Sequence, residues 1–376
     1  MNTRLFIVVS VTFFLVSCGG GSSSNGQASS VPVSNTFQCL HSPIAKGERL
    51  LGMDYLNENE QGSFEENVQR FKQIGGDFTQ LHITWSQIES APNQFVDPDN
   101  ILASIKHHLE TDQLKLVLVV RPIDVTGKTV PDDLTSTRFN APVMAERFTT
   151  LLDYVLSQVG AENILSLHVG NEIDGYDTRD EHQDFWSDYG AFLFAIKLHM
   201  QNQYPEIKLG FTATWGGIVN QDKSVEDIFT ALLSAVDILG VTYYPIDENF
   251  MVRDAASVHS DIDALVQTYP DKPIFLTEVG MPSSGENQSS ERAQARFFCE
   301  VFKMWDDNQN RIPVMDITRM NDLSLEGAEA AAGPYGLTSV AAIEYLRTLG
   351  FRTFSGKGQA KEVWAVITEE TNERGW

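Results

Sequence analysis

Two short apolar runs in the sequence each stop on a glutamate: Leu167-His168-Val169-Gly170-Asn171-Glu172 and Phe275-Leu276-Thr277-Glu278-Val279-Gly280. Two carboxyl groups held together in a partly dry pocket can divide labour, because proximity and burial push their pKa values apart. One keeps a proton to give away, and the other is ionised and can attack. A pair about 5–5.5 Å apart can open an acetal by double displacement, which is how glycosidic bonds are cleaved with retention. A lone strand-end glutamate is as readily an ion-pair partner or a cap. Two of them, each closing an apolar run, make Glu172 and Glu278 the candidate catalytic pair.

Little else in the chain competes with this pair. There is no His/Asp/Glu cluster with metal-ligand spacing, no Ser/His/Asp set and no phosphate loop, so neither metal nor cofactor is expected. His168 lies on the same strand face as Gly170 and Glu172, and reads either as a group behind the pair or as a core histidine; His82 is similar. Trp85 and Trp215 directly follow apolar strand segments and are expected at a cleft, where a sugar's C–H face could stack on them. Tyr176 and Trp186 are further aromatic candidates, and Arg121 closes another apolar run.

To bring both glutamates into one mouth, the elements carrying them must be parallel. Eight strand candidates alternate with helix-period segments: Leu50–Tyr55, Phe78–Trp85, Lys115–Arg121, Ile164–Asn171, Lys208–Thr214, Ile238–Tyr244, Ile274–Glu278 and Pro313–Thr318. Eight strands of this kind form an α/β fold, a single (β/α)8 TIM barrel, with its site at the carboxyl ends of the strands. Ser63 and Glu66 have capping-box spacing ahead of Phe64, Val68, Phe71 and Ile74, one face of a helix. Another helix starts at Ser289 or Ser290, and Pro142 opens a third. A doubly wound sheet usually carries a Gly-rich turn after its first strand, and Gly52-Met53-Asp54-Tyr55 carries none.

With the elements in place, Gly170-Asn171-Glu172 after strand four and Thr277-Glu278 after strand seven resemble the retaining glycosidases of clan A, over the whole barrel. The resemblance implies that Glu172 is the acid/base and Glu278 the nucleophile, that Asn171 contacts the sugar 2-hydroxyl and that a tyrosine on strand six hydrogen-bonds the nucleophile. In Thr242-Tyr243-Tyr244-Pro245, strand alternation favours Tyr244 over Tyr243. Thr84-Trp85-Ser86-Gln87-Ile88-Glu89, with Pro92 and Phe95, is similar to the loop after strand two in that clan. The stretch Leu349–Gly356, with Lys361 and Trp364, is similar to its closing segment. Two family features are missing: the strand-eight tryptophan, since that strand reads Val314-Met315-Asp316-Ile317-Thr318-Arg319, and the basic residue near the end of strand two, for which Arg121 is the candidate replacement. Glu278 to Gly285 resembles endo-β-1,3-glucanases, and Tyr243-Tyr244-Pro245 resembles endo-β-1,4-galactanases. The implied activity is therefore an endo-β-glucanase, β-1,3-glucan favoured. The alternatives are an endo-β-galactanase, a β-mannanase, a transglycosylase or a surface glycan-binding lipoprotein without hydrolytic activity.

The surroundings of this domain read from charge and from the N-terminus. With 27 basic and 51 acidic residues the net charge is −24, which disfavours nucleic acid and anionic polymers and suits a neutral polysaccharide or oligosaccharide. Residues 1–17 have a basic Arg4 and an apolar run Leu5 to Phe14, the pattern of a secretory leader. Leu15-Val16-Ser17-Cys18 resembles a bacterial lipobox, implying lipidation of Cys18, an outer-membrane lipoprotein, and contact with the membrane through the anchor alone. Residues 18–45, rich in Gly and Ser, are expected as a flexible tether, and 46–376 as the catalytic domain, acting as a monomer. Cys39 and Cys299 either pair in an oxidising compartment or remain two buried thiols.

Overall fold

The computed structural model describes residues 39–376 apart from 57–58, 177, 179–180 and 220–222. The lipobox, Cys18 and most of the expected tether lie outside the described residues. Eight parallel strands close into a barrel: β1 Leu50–Met53, β2 Phe78–Thr84, β3 Lys115–Asp124, β4 Ile164–Asn171, β5 Lys208–Thr214, β6 Ile238–Tyr243, β7 Ile274–Val279 and β8 Val314–Ile317. Each strand pairs with the next, β8 returns to β1, and β2 pairs with β3 over seven residues. The helices α1 Phe64–Gln73, α2 Ile101–Asp112, α3 Pro142–Val159, α4 Phe185–Gln203, α5 Lys223–Leu233, α6 Ser257–Thr268, α7 Glu291–Asp307 and α8 Glu362–Arg374 follow the strands in turn. The expected (β/α)8 barrel is the fold observed.

Local signals account for several boundaries. Ser63 caps α1 by accepting from the Glu66 amide, Ser290 caps α7 through the Ala293 amide, and Pro142 sits in the first turn of α3. Such caps satisfy amides that the first helical turn leaves without partners. Between the strands and helices lies one large apolar shell. Inside the barrel, Phe78, Val117, Val119, Ile238, Phe275 and Val314 converge from five strands and plug the lower half.

Two departures from strict strand geometry shape the mouth. β3 runs to Asp124, past the expected end at Arg121, and turns back through the short antiparallel strand Gly127–Lys128. In β7 the register with both neighbours shifts after Leu276. Phe275 faces the interior plug and Leu276 the outer shell, so strict alternation would send Glu278 outward. The bulge adds one residue and returns Glu278 to the inside, as bulges beside functional sites do.

The chain enters the fold earlier than the sequence predicts. Residues 39–45, expected as tether, are bonded to the barrel: Cys39 forms a disulfide with Cys299 on α7, His41 Nε2 lies 2.9 Å from Glu370 Oε2, and the Ile44 amide donates to Asp306. Arg49 and Arg374 share Asp306 at 2.7 Å each. Apart from Cys299, which lies midway along α7, these contacts gather towards the carboxyl ends of α7 and α8, the end of the barrel where the strands begin. Among the described residues no helix is long and apolar enough to cross a membrane.

Candidate active site

At the opposite end, the residues closing β4 leave regular strand geometry. Gly170 has φ +87°. A Cβ there would sit 2.5 Å from Ile173 and 2.7 Å from the Tyr189 hydroxyl, so only glycine fits. Glu172 follows with φ 41° and ψ 49°, a left-handed conformation that costs a non-glycine residue about 1 kcal/mol or more. The turn is pinned from β5, where the Thr214 amide and hydroxyl donate to Asp174 at 2.7 and 2.6 Å. From β3, the Val125 amide donates to the Asn171 carbonyl at 3.0 Å, and Val125 is itself held at φ 45°. Two strained residues held by neighbouring strands aim the Glu172 side chain into the mouth.

Both glutamates are buried, Glu172 completely and Glu278 to 5 % exposure. Strand β6 serves both. Thr242 donates to Glu172 Oε1 at 2.6 Å, and Tyr244, two residues on, donates to Glu278 Oε2 at 2.5 Å. Thr318 donates in turn to the Tyr244 hydroxyl at 3.0 Å. Glu172 Oε2 has no hydrogen-bond partner among the described residues, nor has Asn171 Oδ1. Asn171 Nδ2 reaches Asp124 at 3.4 Å, and Asp124 also pairs with Arg121 at 2.7 Å.

Burial pushes the Glu172 carboxyl well above the usual carboxylate range, and the charge of Glu278 pushes the same way, against the Thr242 hydrogen bond. Burial raises Glu278 to about 7, while the Tyr244 hydrogen bond and the charge of Arg319 hold it down. The pair is therefore arranged as one carboxyl that keeps its proton and one that ionises near neutrality. Asp316, inside β8, is also pushed well up by burial and by the charges of Asp54 and Glu278.

The remaining expected site residues divide. Tyr243 points away from the mouth and donates to Asp261 on α6 at 2.8 Å. Arg121 is 3 % exposed and engaged with Asp124, so it acts from below Asn171. His168, a candidate for the substrate side that reads either as a group behind the pair or as a core histidine, is a core residue and does not reach the mouth. Fully buried, it lies 3.2 Å from both Ser166 and Thr212, and burial lowers its pKa to about 4, which keeps it neutral.

Trp85 was expected at the cleft, but it is completely buried. It donates to Glu89 at 2.5 Å and packs on Phe148 and Phe192 of the outer helices. The motif around it is structural: Thr84 and Gln87 form a capping box, and Glu89 pairs with Arg147 at 2.9 Å. Trp215, also expected at the cleft, is half-buried; it donates to the Asp261 carbonyl at 2.8 Å, with Tyr243 edge-on to its ring and Arg253 against it. Trp186 packs among Phe185, Tyr189 and Phe229, and Tyr176 donates to Glu181 at 2.7 Å.

Sequence reasoning missed Thr242, Thr318, Arg319 and Asp316. Thr242 had a readable signal, its place two residues before Tyr244 on one strand face. The others sit on β8 or just beyond it, where a missing tryptophan was the only feature noticed.

No protein-family model matches the chain, and no curated protein sequence matches it. Its fold is shared with solved structures. A family 39 glycoside hydrolase from the gut symbiont Bacteroides cellulosilyticus WH2 superposes with a TM-score of 0.60 at 12 % identity, over 87 % of this chain and 64 % of that one. A GH5_18 from Bifidobacterium longum subsp. infantis gives 0.62 at 12 %, over 86 % and 79 %. The exo-beta-1,4-mannosidase Op5Man5 from Opitutaceae bacterium strain TAV5 gives 0.62 at 12 %, over 92 % and 62 %. The chain thus spans under two thirds of the length of the first and third of these. At such identities the likeness shows the barrel.

Proposed function

We propose that the chain is a retaining β-glycoside hydrolase acting on a neutral glycan. The observation that carries this reading is the buried, unequal carboxyl pair at the mouth of the barrel, each member fed a hydroxyl hydrogen bond from β6. Glu278 in its ionised form attacks the anomeric carbon, and Glu172 gives its proton to the departing oxygen. The ester formed on Glu278 removes that charge, which frees Glu172 to ionise and take a proton from the incoming water. Asn171, with its unpartnered Oδ1 beside Glu172, is placed to accept from a sugar hydroxyl.

The acid-rich mouth, with Asp54, Asp124, Glu172, Glu278 and Asp316 acting on one another, favours an uncharged sugar over a uronic acid. The sequence resemblance favours β-1,3-glucan. The fold neighbours favour β-mannosides, since one is named an exo-beta-1,4-mannosidase and a GH5_18 protein was solved with Manb1-4GlcNAc. Both substrate classes belong in the first assay. We further propose export and anchoring through Cys18; the Cys39–Cys299 disulfide supports an oxidising compartment.

The test is product release from laminarin, mixed-linkage glucan, galactan, mannan, xylan and aryl β-glycosides, with Glu278→Ala and Glu172→Gln alongside. Wild type should release sugar, with the β-anomer appearing first by proton NMR, and Glu278→Ala should lose activity on the order of 10³-fold or more. No turnover of any substrate by wild type, or an initial α-anomer, would overturn the reading.

A further inference from the structure

The loop between β8 and α8 carries two short helices, Leu325–Ala332 and Val340–Arg347. It leaves the barrel on the face that holds the two glutamates, and the fully buried Tyr345 fastens it there, its ring nearly edge-on to Tyr244 at 5.6 Å. Between this insertion and the loop after β7 lies a cavity of about 400 Å³, within the range of small-ligand sites. Neither glutamate lines it. Its buried lining is Asp322, Thr348 and Lys361, and it opens to solvent past Glu291, Leu325 and Ser355. Backbone bonds hold the frame: the Ser283 amide donates to the Thr348 carbonyl at 3.1 Å, Leu323 to Arg347 at 3.0 Å and Asp322 to Arg352 at 2.8 Å. The cavity is therefore preformed.

Contacts connect it to the catalytic pair. Leu349, next to Thr348, packs in one apolar cluster with Tyr244. A Cβ on Gly280 would lie 3.2 Å from Leu349 Cδ2 and 2.8 Å from Tyr244 Cε1, and Tyr244 bonds Glu278. The charges lining the cavity balance, Arg347 and Lys361 against Glu291 and Asp322. Both bases are already engaged. Lys361 Nζ donates to Asp322 at 2.7 Å, the Gly350 carbonyl at 2.8 Å and Ser283 Oγ at 2.9 Å, which uses the three donors of an ammonium. Arg347 holds Glu344 with two bonds of 2.7 Å. An anion or a cation gains little in such a place. What the lining offers is hydroxyls, from Ser283, Ser324, Thr353 and Ser355, and the apolar surface of the half-buried Phe354 and the exposed Leu325.

We propose that this cavity is a second binding site for a neutral β-glycan, which holds a stretch of the polymer beside the catalytic mouth. Phe354 and Leu325 meet the apolar C–H face of a sugar unit, and the serine and threonine hydroxyls bond its polar edge. This rests on the glycosidase reading above and deepens it by naming where substrate is held away from the cleaved bond. A polymer caught in the cavity presents its neighbouring units to the mouth at a raised local concentration. An aryl glycoside is too short to occupy both places and gains nothing.

The experiment compares wild type with Phe354→Ala, Leu325→Glu and the control Val340→Ser, which alters a residue 64 % exposed on the same insertion but outside the cavity. Each cavity change should raise KM for the polymer that is turned over, laminarin or glucomannan, by about three- to tenfold more than KM for an aryl β-glycoside. Val340→Ser should match wild type on both. Equal effects on polymer and aryl glycoside, or none on either, would overturn the proposal and leave the hydrolase reading standing. Should Phe354→Ala fail to fold, Leu325→Glu, on the exposed rim, decides alone. If wild type hydrolyses nothing, electrophoresis through gels containing laminarin or glucomannan decides. Retardation of wild type that the cavity changes weaken supports the site, and retardation that is unaltered by them, or absent in wild type, refutes it.

Discussion

Tyr244 holds Glu278 in its charged form against burial, and Thr318 steadies Tyr244 in turn. For the double displacement, Glu278 must be ionised and Glu172 protonated. Activity should then rise with pH through about 7, where Glu278 loses its proton, and fall at higher pH as Glu172 loses its own. Tyr244→Phe removes a hydrogen bond that favours the carboxylate, so the acidic limb should move to higher pH. We expect kcat/KM to fall roughly tenfold more at pH 6 than at pH 8, the worth of one such bond. Equal losses at both pH values would show that Tyr244 does not tune Glu278. The glutamates and Tyr244 were legible because strand ends and alternation are sequence properties. The tryptophans were not, because following a strand does not decide whether a ring turns to the mouth or to the helices. In Trp85 the nearby Glu89 took the indole N–H and settled that choice.

Elements carry a different kind of information. All eight strands could be read from apolar runs, and the capped helix starts from Ser63, Pro142 and Ser290. The β7 bulge could not, since nothing in Leu276-Thr277-Glu278 marks an extra residue in register. Nor could the β8–α8 insertion, whose short helices look like ordinary connections until Tyr345 meets Tyr244. His168 shows how the barrel interior is built around one polar ring: a Cβ on Gly240 would lie 2.7 Å from His168 Nδ1, and one on Gly210 would lie 3.2 Å from its Cε1. Gly240→Ala should therefore destabilise the barrel by about 1–3 kcal/mol through overpacking. Combined with His168→Ala, the loss should be smaller than the sum of the two single changes. Thermal melts of the four proteins check this, and an unchanged Tm in Gly240→Ala would remove the packing account.

For the molecule as a whole, the Cys39–Cys299 bond closes a loop with a sequence separation of 260. By constraining the unfolded chain, such a link contributes about 2–5 kcal/mol. The double change Cys39→Ser and Cys299→Ser should lower Tm, and reductant should reproduce that drop in wild type but not in the variant. A wild-type melt indifferent to reductant would refute it. The same bond, with the His41 and Ile44 contacts, fixes the direction of the whole body. Residues 41–49 are bonded where the strands begin, so the described chain enters the fold on the side opposite the mouth. Under the anchoring proposed through Cys18, a barrel moored by that end would stand with its opening turned away from its mooring. In that proposed arrangement a bulky glycan would reach the opening without passing between the protein and the surface that holds it.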